Sequence, residues 1–225
     1  MFKMTLNNNN TRPITIAKNI TIATAFAASL LGMSVAKAAG DAVNGKQLSQ
    51  TCLSCHGAPG LRNPGPVYSI PMLGAQNEEY LIEALKGYKN KTRPHKTMQA
   101  QAASLSDQDM KDIAAYFSGI DGKGKTSAIN QKKIDTGKAL AGSCAACHGA
   151  DGASTTSPTF PKLAGQYESY LVHALKEYRS GERQNGIMSG FASGLSIDEI
   201  EALAAWFASQ EVDGVTAPKT TIFKF

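Results

Sequence analysis

TCLSCHG at residues 51–57 and SCAACHG at residues 143–149 are two copies of one pattern, CxxCH, and together they use all four cysteines of the chain. Two thiols three residues apart on a helical turn lie on one side of the backbone, where both can add to the vinyl groups of a porphyrin. The adjacent imidazole then meets the iron. A lone CxxC also reads as a redox pair or as half of a zinc site. Two CxxCH copies inside matching repeats read instead as two covalently attached haem c groups, with Cys52, Cys55 and His56 in one and Cys144, Cys147 and His148 in the other. No cysteine is left for a disulfide.

Working outward, NGKQLSQTCLSCHG at 44–57 matches TGKALAGSCAACHG at 136–149 at an offset of 92. Past the motif the offset falls to 90, because the first copy carries two more residues in LRNPGPVYS. From there Pro71, Leu73, Gln76, Tyr80, Leu81, Arg93, Met98 and Phe117 pair with Pro161, Leu163, Gln166, Tyr170, Leu171, Arg183, Met188 and Phe207. Self-similarity over this length means tandem domains, since solenoid periods are shorter.

Each copy carries three helical signals. The first runs into CxxCH with Gly45, Leu48 and Cys52 on one face; Gly45 and Gly137 permit close helix packing or simply mark a helix start. The second begins near Asn77 or Tyr167. The third opens with a capping box, Ser106 to Asp109 and Ser196 to Glu199. It continues with Met110, Ile113, Ala114, Phe117 and with Ile200, Leu203, Ala204, Phe207 at i, i+3, i+4, i+7, a stripe that faces a core. The predicted fold class is all-α. A copy of about 90 residues rich in Ala, Gly and Ser buries a modest core, so a porphyrin is expected to complete it.

The first forty residues have their own character. Lys3, Arg12, Lys18 and Lys37 stand without an acidic residue, and Ile20 to Val35 is an apolar run followed by Ala36, Lys37, Ala38. This reads as a secretory leader over 1–38, cleaved after Ala38, with an uncleaved anchor as the other reading. The formal charge of +5 is mostly leader: the remainder has nineteen basic against eighteen acidic residues. Nothing in that balance points to nucleic acid. The expected organisation is a first domain over 39–120, a Gly- and Lys-rich linker over 121–134, and a second domain over 135–225 whose ending, TTIFKF, reads as a short strand or a free tail.

The second axial ligand follows from the repeat. His95 corresponds to Asn185, His173 to Glu83, Met72 to Lys162 and Met110 to Ile200, so none recurs. Met98 and Met188 do, in the polar, loop-like settings TMQAQ and IMSGF; Met72 is the alternative in the first copy. His/Met coordination closes both axial positions and raises the potential, which suits electron carriage. Pro71 and Pro161 read either as carbonyl acceptors for the imidazole Nδ1 proton or as plain turns. Tyr80, Tyr170, Arg93 and Arg183 read as propionate contacts or as core and surface. Lys86, Lys89, Lys91, Arg93 and Lys96 form a basic run, either a solvated face or a docking patch.

CAACHGADG, PKLAGQ, YL, LKEYRSGER, Met188 and the LS-initiated helix ending in AAWF resemble the dihaem cytochromes c4, and the likeness spans nearly the whole chain after residue 38. The first copy departs by its longer loop and by LGAQ in place of LAGQ. The resemblance implies two class I cytochrome c domains in a periplasmic carrier. It passes electrons from a cytochrome bc complex or a dehydrogenase toward a haem-copper oxidase, often near the membrane. The sequence offers no Ser-His-Asp set, phosphate loop or paired carboxylates in a recognisable context, so no catalytic residues are assigned. The competing readings are the cytochrome subunit of a periplasmic dehydrogenase and a dihaem oxidoreductase, the latter needing an open iron position.

Overall fold

A computed structural model describes residues 39–121 and 130–210. The expected leader, most of the linker and the TTIFKF ending lie outside the described residues. The elements are α1 Ala42–Leu48, α2 Gln50–His56, β1 Arg62–Pro64, β2 Val67–Ser69, α3 Glu78–Lys89, α4 Lys96–Ala103 and α5 Asp107–Ser118. The second repeat follows with α6 Gln131–Leu140, α7 Gly142–His148, α8 Glu168–Ser180, α9 Gly186–Ala192 and α10 Ile197–Ser209. The fold is all-α, with one small hairpin added.

Both capping boxes form as the sequence requires, Ser106 with Asp109 and Ser196 with Glu199. The stripe they launch is the core of each repeat. Leu81, Ile113, Ala114 and Phe117 pack together in the first, and Leu171, Leu203, Ala204 and Phe207 in the second. Gly45 and Gly137 serve close packing. A Cβ on Gly45 would lie 1.9 Å from the Asp112 carbonyl oxygen, and one on Gly137 2.0 Å from that of Ala202. α1 therefore meets α5, and α6 meets α10, with backbone almost touching backbone.

Three details differ from the sequence expectation. The helix entering CxxCH is divided in both repeats, at Ser49 and at Ala141, so that the motif forms a short helix of its own. α6 opens at Gln131, inside the stretch that composition gives to the linker, because the Asn130 side chain accepts from Lys133 N and caps it. Met98 and Met188 sit on short helices and not in loops: the side chains of His95 and Asn185 accept from the Met98 and Met188 amides and start α4 and α9. A turn or two of mixed polarity has no apolar period to reveal it.

The loop that two extra residues lengthen in the first repeat folds as the antiparallel β1–β2 hairpin, pairing Arg62 with Ser69 and Asn63 with Tyr68. It presents Tyr68, 5% exposed, to the second repeat, where the ring stacks on His173 at 3.9 Å between centroids and 16° between planes. Ser69 N donates to Ser169 Oγ at 3.0 Å. The hairpin thus ties the repeats together.

Candidate cofactor sites

The CxxCH helices α2 and α7 end on their histidines. In each repeat the chain returns within a short loop to place a proline carbonyl against the ring, His56 Nδ1 to Pro71 O at 2.7 Å and His148 Nδ1 to Pro161 O at 2.8 Å. Of the two readings of these prolines, the carbonyl acceptor is the one the fold adopts. A carbonyl can only accept, so Nδ1 carries the proton and Nε2 keeps its lone pair. Burial pushes both imidazoles below the usual histidine value, against the opposing pull of the carbonyl, so they stay neutral. Burial likewise raises the Cys52 and Cys144 thiols, which pack against the two cores, while Cys55 is exposed.

Cys52, His56 and Met98 share one cavity of about 620 Å³ with Cys144, His148 and Met188, and the cavity runs across the junction of the repeats. Leu81 and Phe117 on one side, with Leu171 and Phe207 on the other, give it apolar walls. Met72 follows the proline that holds His56, and both its backbone groups are bonded to Gln166, N to Oε1 and O to Nε2, each at 3.0 Å. It also lines the cavity. Among the described residues no three His, Cys, Asp or Glu gather as they would for a bare metal ion.

Sequence reasoning missed the junction itself. Gln76 mirrors Gln166: its Nε2 donates to Lys162 O at 3.0 Å and its Oε1 accepts from Lys162 N at 2.8 Å. Met72 and Lys162 are equivalent positions, so the two clasps are related by an internal pseudo-two-fold. Such a contact resembles an isologous dimer interface carried on one chain. The matched Gln76 and Gln166, paired by the alignment, were the signal available in sequence, but nothing local says that they reach across.

Tyr80, Tyr170, Arg93 and Arg183 meet at the same junction. Arg93 donates to Tyr170 Oη at 2.6 Å and to Tyr80 Oη at 3.3 Å, and Arg183 to Tyr80 Oη at 3.2 Å. Each guanidinium also lies over a ring, Arg93 over Tyr88 at 4.6 Å and Arg183 over Tyr178 at 4.4 Å. Arg93 is 8% exposed and so leaves the basic run in which the sequence placed it. Among the described residues neither arginine has a carboxylate partner. Burial alone would raise the Tyr80 phenol, yet the two guanidiniums outweigh it and bring the phenol down to about 7.

Two buried cations facing an apolar cavity call for anions. A porphyrin supplies them as propionates, together with a flat apolar body for the walls and an iron for the neutral imidazoles. The residues present fit haem.

The cytochrome c family model matches residues 42–121 and again 134–211. Cytochrome c4 of Pseudomonas aeruginosa is 33% identical over 185 residues, covering 76% of this chain and 90% of that one. The chain belongs to the cytochrome c4 family. The crystal structure of reduced recombinant cytochrome c4 from Pseudomonas stutzeri superposes with a TM-score of 0.67 at 34% identity, over 77% of this chain and all of that one. A thiosulfate dehydrogenase from Marichromatium purpuratum matches at 28% identity and a TM-score of 0.63, over 71% of this chain and 36% of that one. As a cytochrome c4 the chain carries two covalently bound haem c groups in tandem class I domains, and it is an electron-transfer protein that works with other redox proteins.

Proposed function

We propose that Cys52 and Cys55 bind the first haem and Cys144 and Cys147 the second, with His56 and Met98, and His148 and Met188, as the axial pairs. The bound haem c groups supply a one-electron iron couple. The chain's own residues do the rest. Pro71 and Pro161 fix the tautomer and tilt of the imidazoles, and the apolar walls exclude water and favour the less charged ferrous state. Arg93 and Arg183 hold the propionates where the repeats meet. The observation that carries this reading is the proline carbonyl within 2.8 Å of Nδ1 in both histidines, an acceptor that requires the proton on Nδ1 and leaves Nε2 free in a cavity that a matched methionine also lines.

Two closed coordination spheres make a carrier. The chain is read as periplasmic, with residues 1–38 as a cleaved leader, 39–120 and 135–225 as the two domains, and 121–134 as the linker, whose last four residues already belong to α6. It takes electrons from a cytochrome bc complex or a dehydrogenase and gives them to a haem-copper oxidase, in peripheral contact with the membrane. The likeness to part of a thiosulfate dehydrogenase favours one second reading, a fixed cytochrome subunit of a dehydrogenase. Purification separates them, since a carrier runs alone and a subunit with its partner.

The test of ligation is a redox titration followed by absorbance, including the weak near-infrared band of methionine sulfur on ferric iron. Two one-electron steps at high potential, with the band intact for both haems, are expected. A haem that lacks the band or binds cyanide readily overturns the assignment for its repeat.

A further inference from the structure

The repeats are alike inside and unlike outside. At the offset of 90, the exposed surface around Met98 and that around Met188 differ in kind. Lys91, Lys96, Thr97 and Gln101 on the first are Gly181, Gly186, Ile187 and Phe191 on the second. Lys89, Lys91, Lys96, Thr97 and Gln101 are exposed; on the other side Ile187 is 57% and Phe191 51% exposed. From 86 to 101 the first repeat carries, besides the buried Arg93, four lysines and no carboxylate. Over 176–191 the second sets Glu177 and Glu182 against Lys176 and Arg179. Lys86 pairs with Glu83 at 2.9 Å, whereas Lys91 and Lys96 have no carboxylate partner among the described residues.

Lys91 adds an independent observation. It follows Asn90, the C-cap of α3, with φ 67°, where its counterpart Gly181 is the C-cap of α8 with φ 79°. Glycine takes the left-handed conformation freely, and an L side chain does not. The first repeat therefore holds a lysine where the backbone favours glycine, at a conformational cost that no side-chain bond among the described residues repays. Ala75, at φ 57° against Gly165 at φ 67°, shows the same exchange without a charge; at Lys91 the strained position also adds an exposed cation to the rim.

We propose that the Met98 face, bordered by Lys89, Lys91 and Lys96, docks an acidic one-electron redox protein, while the Met188 face, with Ile187 and Phe191, is not the acidic partner's port. The occupant follows from charge complementarity: Lys86 is offset by Glu83 and Lys89 Nζ donates to Leu105 O, but Lys91 and Lys96 leave the rim net cationic, which steers a negative surface and suppresses other orientations. The proposal rests on Met98 marking the exposed side of the first haem site.

The test is stopped-flow reduction of the oxidised holoprotein by flavodoxin hydroquinone, an acidic one-electron donor. Between low salt and ionic strength near physiological, the second-order rate of the native chain is expected to fall about tenfold or more. The triple variant K89E/K91E/K96E is expected to lose about tenfold at low salt and to converge with the native chain at high salt. A control with the same net charge, K46E/K132E/K138E, changes three exposed lysines elsewhere and is expected to lose far less. Lys91→Gly is expected to slow the reaction while raising the unfolding midpoint, a split that a structural lysine would not give. Equal losses in the two triple variants, a salt-insensitive native rate, or slowing confined to I187S/F191S overturns the proposal. The near-infrared sulfur band is recorded on every variant. Its absence from the native chain marks a failure of the ligand assignment, and its presence with an unaffected rate marks a failure of the docking assignment alone.

Discussion

Replacing Gly137 by alanine tests the helix contact on which each repeat is built. The new Cβ would stand 2.0 Å from the Ala202 carbonyl oxygen, 2.5 Å from its carbon and 2.8 Å from Trp206 Cβ, and real Cβ atoms essentially never come within 3.0 Å of a neighbour. α6 must withdraw from α10 by about 1 Å, and the obstacle is backbone that no rotamer change can relieve. Overpacking of this kind costs up to about 3 kcal/mol, and the better helix propensity of alanine returns about 1 kcal/mol. The net expectation is a loss of about 2 kcal/mol, read from guanidinium unfolding of the holoprotein by far-ultraviolet circular dichroism. Gly190→Ala, in α9 with nothing within 4 Å of its would-be Cβ, is the control. It is expected to be neutral or stabilising by up to about 1 kcal/mol. If Gly137→Ala proves as stable as Gly190→Ala, the close-contact reasoning is refuted for both repeats, since Gly45 rests on the same geometry.

Three further outcomes are expected. Gln76→Ala and Gln166→Ala each remove two bonds between repeats, worth about 2 kcal/mol together; the double variant should split a single unfolding transition into two, and retained cooperativity would contradict the clasp. Asp112 accepts from Asp41 N, Asn44 Nδ2 and Gln108 Nε2. Burial raises its carboxyl, but these donors prevail and hold it below 3.8. Its contribution is therefore present above the unfolded value and lost as pH falls through the lower folded value. Asp112→Asn should flatten the loss of stability below about pH 4, and an unchanged acid limb would refute the assignment. Arg93→Met removes a buried cation beside the first haem site, which stabilises ferric iron, so one of the two reduction potentials should fall more than the other; two unmoved potentials would remove Arg93 from the site.

Capping serines, the Gly-to-helix contact and the apolar stripe were legible because each is a local rule: a hydroxyl three residues before a carboxylate, a missing side chain, a 3.6-residue period. The Pro71 and Pro161 carbonyls were legible as one of two readings, and only the loop's path chose between them. The Met-bearing helices were not legible, because at seven or eight residues they are short, of mixed polarity, and begun by His95 in one repeat and Asn185 in the other. Arg93 shows the limit most plainly. In sequence it stands among four lysines, and in the fold it turns away from all of them into the junction.

By itself the sequence determined the chemistry of the chain: two thiols and an imidazole in fixed order, written twice, allow one kind of cofactor and require two of them. Tertiary structure alone decided how the two copies face each other. An internal alignment reports what each repeat shares with its twin, and residues that bond across a pseudo-two-fold look the same in it as residues that never meet. Gln76, Gln166, Tyr80, Tyr170, Arg93 and Arg183 acquire their roles from partners far away in the chain. Only docking, driven by the satisfaction of buried polar groups around a shared cavity, brings those partners within reach.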